Sequence, residues 1–240
     1  MRNVAWVIGG CAALWFVIGT GQVFAQRNEM LAGYPKTLES ELQVLLSRTG
    51  EGKPSPELLV QLSSTYFDVA DDWLKDETKR IEAYEAGAKA AKQAYEIDDS
   101  NADAHFFYAV NLGSAALLKS VVNVVMVVKE VKHCVLHAIE LNPKHAPSLQ
   151  MMGGLLIELP WFLGGDEKQG QAYLERAIAA DGNYTKARIL VAKLYRKQGR
   201  IADAAAQLDA VLRADRPHYR YTWERTYKPE AERLLKELSS

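Results

Sequence analysis

Residues 185–218, TKARILVAKLYRKQGRIADAAAQLDAVLRADRPH, decide the fold. This stretch of 34 residues contains two helical segments whose small and apolar positions are spaced for close antiparallel packing. Helical hairpins of this length that recur along a chain stack into a solenoid. The positions that must be small or apolar are Val191, Ala192 and Tyr195 in the first segment and Ala204 and Leu208 in the second.

The pattern recurs upstream, in longer units that begin at Pro56, Ala102 and Ala146. The spacing predicts an all-α solenoid of the tetratricopeptide-repeat (TPR) type, with four units over residues 56–218 and lengthened hairpins. An N-terminal helix and linker are expected at 26–55, and a capping helix within 219–240. The unit at Ala146 follows the pattern at Leu149, Met152, Gly153, Leu156, Gly170, Leu174 and Ala177.

The N-terminus predicts export. An apolar stretch over residues 4–25 follows Arg2 and closes with Val23, Phe24 and Ala25, a small-x-small cleavage pattern. We therefore predict a signal peptide over 1–25, cleavage before Gln26 and a periplasmic protein. The alternative is an uncleaved anchor in the inner membrane, since about 20 apolar residues can span a bilayer.

Composition excludes several kinds of partner and chemistry. Removal of residues 1–25 leaves 28 basic and 30 acidic side chains, which argues against a nucleic-acid partner. It also leaves a single cysteine, Cys134, which is expected to be a small buried hydrophobe. Phosphate-loop and nucleophile-elbow motifs do not stand out. The chain is therefore predicted to be a non-enzymatic protein without a cofactor.

Several phrases, in order, carry a family resemblance: AHFFYAVNLG, VKEVKHCVLHAIELNPKHAPSLQMMGGLL, LPWFLGGDEKQGQAYLERAIAAD and KPEAERLLKEL. Over about residues 102–238 the chain resembles the T component of tripartite ATP-independent periplasmic (TRAP) transporters. It more distantly resembles the regulator-of-microtubule-dynamics proteins, which share lengthened repeats and a Leu-Pro-Trp phrase. The first resemblance implies a periplasmic helical protein that engages a solute-binding subunit, able to form oligomers and to hold an apolar ligand.

The first helices of the repeats are expected to line a concave groove that binds a protein partner. The groove would be apolar at one end and strongly basic at the other, although charged helix faces are usually only solvated. The predicted groove residues are Phe106, Val110, Gln150, Gly154, Ile189, Lys193, Arg196 and Lys197.

A second candidate surface is the valine-rich run 121–128, with an apolar plug at 161–163 bounded by Pro160 and Gly164. Its valines point around most of a helix, so something must cover them. We expect the plug to supply part of that cover and a hydrophobic ligand or a second subunit the rest. The predicted contact residues are Val121, Val124, Val125, Val128, Trp161 and Phe162.

Three histidines are candidate metal ligands. His133 and His137 lie one helical turn apart, a spacing at which two imidazoles can share a metal. Two ligands are too few, and the third would have to come from His145 in the following turn. The sequence therefore predicts no metal site. The two functional hypotheses are a protein-binding module and a carrier of a hydrophobic small molecule.

Overall fold

The computed structural model describes residues 33–239, and within them the secondary structure is helical. This confirms the predicted all-α fold class. The helices are α1 (Thr37–Gly50), α2 (Pro56–Asp68), α3 (Glu77–Ile97), α4 (Ala102–Lys119), α5 (Val121–Leu141), α6 (Ala146–Glu158), α7 (Glu167–Ala180), α8 (Thr185–Lys197), α9 (Ile201–Leu212) and α10 (Lys228–Leu238). Shorter helical turns lie at Val69–Trp73, Trp161–Leu163, Arg220–Thr222 and Trp223–Tyr227.

Consecutive helices pack in pairs: α2 with α3, α4 with α5, α6 with α7, and α8 with α9. The second helix of each pair also contacts the first helix of the next, which is how repeat hairpins stack into a solenoid. The first helices begin at Pro56, Ala102, Ala146 and Thr185, where the sequence units begin. Helix α1 packs on α2, and α10 covers α9 at the other end.

Polar side chains set the starts of several helices. Ser55, Asp76 and Asn101 each accept a hydrogen bond from a backbone N–H in the first turn of α2, α3 and α4. Asp166 does the same for α7: its carboxylate accepts from the Gln169 backbone at 2.9 Å and from the Gln169 side-chain amide at 2.9 Å. These caps fix where each hairpin turns.

Glycines allow the closest helix contacts. A Cβ on Gly153 of α6 would lie 2.9 Å from the carbonyl oxygen of Gly170 in α7 and 2.7 Å from Leu174. Contacts this short do not occur at a real Cβ, so Gly153 and Gly170 must stay small. The repeat positions selected from the sequence in both clear units are buried, among them Leu149, Leu174 and Leu208. They form the main core, which runs from α3 to α10.

The N-terminal segment carries predictions that lie outside this description. Residues 1–25, with the proposed signal peptide or anchor and the cleavage site, are not among the described residues. Across 33–239, every helix is too short or too polar to cross a membrane.

Candidate functional site: the concave face and the long hairpin

The predicted apolar end of the groove is largely interior. Phe106 is buried between Phe107 and the ring of His145, and Ile189 and Gln150 are buried as well. The repeat pattern predicted that these three side chains would face a partner, and their burial shows that this prediction is wrong. Val110 and Gly154 are half-buried.

The predicted basic end is neutralised within the chain. Lys193 lies 2.7 Å from Glu230, and Arg196 lies 2.6 Å from Glu237, both on α10. Lys197 pairs with Glu167 of α7. The sequence predicted a strongly basic end of the groove. In the structure α10 supplies a carboxylate to Lys193 and Arg196, and α7 supplies one to Lys197.

Residues near the two ends of the described chain are in contact. The Tyr34 ring packs edge-on against Tyr221, with centroids 5.0 Å apart, and the Tyr34 hydroxyl donates to Asp72. Burial raises the pKa of Asp72, and the hydrogen bond from Tyr34 opposes that shift. These contacts bring the N-terminal and C-terminal parts of the described chain together.

The α4–α5 hairpin carries a cluster of exposed apolar side chains. Val121 is 79% exposed and Met126 is 75% exposed, whereas Val128, two turns after Val121, is buried. Val124 is half-buried. We call the exposed set the hairpin patch: Leu117, Val121, Val122, Val125 and Met126.

The plug does not cover this patch. Trp161 is 85% exposed and Phe162 is 67% exposed, and the two rings contact each other edge-on. The hydrogen bond from Lys132 to the Gly164 carbonyl, at 3.0 Å, ties the plug to α5 beyond the patch. The expectation that the plug shields the valines is wrong, because the helical turn Trp161–Leu163 leaves its aromatic rings exposed.

A buried Asp-His-Ser chain links α4 to α6. His145 Nε2 lies 2.9 Å from Asp103 Oδ1, and Nδ1 lies 2.6 Å from Ser148 Oγ. The same three residue types serve hydrolases, but here Ser148 is fully buried and sits in the first helical turn after His145. A substrate has no access to it, so the chain satisfies buried polar atoms instead.

Of the three histidines considered as metal ligands, His145 is hydrogen-bonded in this buried chain, whereas the other two pair on α5. His145 faces Asp103, and His133 stacks on His137 with centroids 6.5 Å apart. His137 also contacts His105, at a centroid distance of 4.5 Å. Reasoning from sequence spacing missed that neighbour, because His105 lies on another helix.

Cys134 is buried, as predicted, and free. Burial raises the pKa of its thiol to about 11, so the reactive thiolate is scarce at neutral pH.

Comparison with known proteins supports this architecture from two directions. The family model of regulator of microtubule dynamics protein 1-3 matches residues 23–159, more than half of the chain. The chain belongs to this family. A tetratricopeptide-repeat model matches residues 163–221.

Individual relatives agree. Regulator of microtubule dynamics protein 1 of Bos taurus is 30% identical over 174 residues, covering 65% of this chain and 54% of the bovine protein. The Homo sapiens protein is 29% identical over 138 residues, covering 51% of this chain and 44% of its own length. The chain thus spans about half the length of the curated relatives it matches.

Among solved structures, a thermophilic TPR protein of Thermus thermophilus superposes with a TM-score of 0.62. The match covers 87% of this chain and 97% of the other at 16% identity, a level that shows the fold alone.

Proposed function

We propose that this chain is an exported, periplasmic, non-enzymatic TPR protein that binds a protein partner through the hairpin patch. The expected partner is the solute-binding subunit of a TRAP-type transporter, whose T component the chain resembles. The observation that carries the proposal is the exposure of Val121, Val122 and Met126, at 79%, 68% and 75%. Clustered exposed apolar side chains of this kind mark interaction sites.

The surroundings of the patch favour a protein over an anionic membrane. Its neighbours carry both signs of charge: Lys119 pairs with Glu85, and Lys129 adjoins Glu130. Protein interfaces combine an apolar centre with a mixed polar rim, whereas binding to anionic lipid needs an excess of cations. Relatives named for microtubule dynamics share the same helical region, which supports partner binding in general.

The alternative function, a carrier of a hydrophobic small molecule, needs enclosed apolar space. The cleft beside the hairpin, lined in part by Leu112, Ala116 and Val127, has a volume of about 80 Å³. Pockets for drug-sized ligands measure roughly 300–1,000 Å³. The cleft is small for such a cargo, so partner binding is the function we propose.

Capture experiments test the proposal. Val122→Ser with Met126→Ser should abolish capture of the solute-binding subunit encoded nearest this gene. Val44→Ser is the matched control, since Val44 is 59% exposed on α1, away from the patch. Equal capture by both variants would refute the hairpin patch. Light scattering of the same samples shows whether a second copy of the chain is the occupant instead.

Export is tested separately. The intact mass of protein recovered from the periplasmic fraction should equal that of a chain that begins at Gln26. Recovery in the inner-membrane fraction at full mass would favour the anchor, and recovery in the cytoplasm would overturn the periplasmic proposal.

A further inference from the structure

Three potential metal ligands converge where the α3–α4 turn meets the α4–α5 hairpin. Asp99 lies in the turn, His105 near the start of α4, and His137 in the second half of α5. Asp99 Oδ1 is 3.2 Å from His105 Nε2, and Asp99 Oδ2 is 3.6 Å from His137 Nε2. One ligand atom from each residue lies within 4.8 Å of the other two.

These separations suit a tetrahedral metal. Zn²⁺ binds imidazole nitrogen and carboxylate oxygen at about 2.0–2.2 Å, so two of its ligands lie roughly 3.3 Å apart. The two carboxylate-to-imidazole distances, 3.2 Å from Oδ1 and 3.6 Å from Oδ2, fall on either side of that value, and a small rotation of the exposed Asp99 side chain would bring one oxygen to both imidazoles. Two imidazoles and one carboxylate are also a common zinc ligand set that leaves a fourth position for water.

The surroundings hold both imidazoles in place. The ring of Tyr95 stacks on His105 with centroids 4.8 Å apart. On the other side, Glu140 Oε2 lies 3.3 Å from His137 Nδ1, which leaves Nε2 directed at Asp99. A carboxylate on the second nitrogen of a ligating histidine is the usual way to orient it and to raise its basicity.

Metal binding would change one hydrogen bond of His105, and the cluster is open to solvent. The Nε2–H of His105 can donate to the Asp99 carbonyl oxygen at 3.0 Å, so a metal ion at Nε2 would replace this hydrogen bond and would require the proton on Nδ1. Asp99 is 76% exposed and opens the cluster to solvent for metal entry and for a water ligand.

We propose that Asp99, His105 and His137 bind one divalent transition metal ion, with Zn²⁺ as the expected occupant and Glu140 as a positioning residue. The metal would join the end of the first repeat unit to both helices of the second. This site is separate from the hairpin patch, and its test does not depend on the proposed function.

Zinc titration of the untagged protein tests the site. Wild type should bind one Zn²⁺ per chain and melt at a higher temperature with ZnCl₂ than with a chelator. Asp99→Ala and His137→Ala should each weaken binding by at least about tenfold, the scale seen even when residues outside the ligand set are removed. Asp99 is exposed, so its variant remains informative if His137→Ala perturbs α5.

His133→Ala is the matched control, because His133 lies one turn from His137 on α5 but outside the cluster. It should retain the wild-type affinity. Binding lost equally in His133→Ala and His137→Ala would assign the ion to a histidine pair on α5 and overturn the proposal. So would the absence of one-to-one binding in wild type, or unchanged affinity in Asp99→Ala.

Discussion

The regular unit, residues 185–218, and the long unit, residues 102–145, are built on the same helical hairpin but differ in what they leave exposed. In the regular unit the apolar side chains are mostly interior, and the cations Lys193 and Arg196 pair with α10. In the long unit the first turns of α5 present Val121 and Met126 to solvent. Stacking therefore buries most of the apolar surface of the regular unit, whereas part of the apolar surface of the long unit stays exposed to solvent.

The largest expected difference between the units is in core stability. Leu208→Ala, at a fully buried position of α9, should lower the free energy of unfolding by about 3 kcal/mol, from lost burial and the cavity left behind. The matched change Leu117→Ala, at 71% exposure, should cost less than about 0.5 kcal/mol. Urea unfolding of both variants measures the difference, and similar costs would contradict the contrast between the units.

A smaller effect is expected at the buried polar chain of the long unit. Asp103→Ala removes the partner of His145 Nε2 and should cost about 1–3 kcal/mol, the penalty for an unsatisfied buried polar group. Asp203→Ala in the regular unit is the control, because Asp203 forms an exposed pair with Arg200 that is worth about 0.5 kcal/mol. If the two substitutions prove equally mild, the Asp-His-Ser chain does not hold α4 to α6.

The ion pairs of the regular unit should contribute less again. A double-mutant cycle of Lys193→Ala and Glu230→Ala should give a coupling energy of about 0.5 kcal/mol, since both groups are partly exposed. The coupling should shrink as salt is added. A coupling near zero at low salt would show that Lys193 is not engaged by α10 and would restore the basic groove.

Sequence periodicity predicted the features that depend on neighbours along the chain. Residues such as Gly153 and Leu174 are recognisable as packing positions because hairpin stacking demands small or apolar groups at fixed spacing, and both are buried. The cap at Asp166 is equally local, since its partner Gln169 lies three residues away.

Features that depend on distant residues were missed. Arg196 meets Glu237, 41 residues later, and His105 meets His137 on another helix. Repeat spacing predicts which face of its helix a side chain occupies. It does not predict which charged residues of the capping helix will lie opposite, or how far a lengthened hairpin will project. The candidate binding surface is consequently the hairpin patch and not the groove.

The last prediction concerns the patch, where the expected effect on stability is smallest. Val122→Ser with Met126→Ser should change the free energy of unfolding by no more than about 0.5 kcal/mol, because both side chains already contact water. Thermal and urea unfolding of the variant and the wild type measure this. A loss above about 1 kcal/mol would mean that these side chains are covered in the free protein, as burial of each is worth about 1.5–3 kcal/mol. The proposal that a partner binds the hairpin patch would then lose its supporting observation, which is the exposure of these side chains.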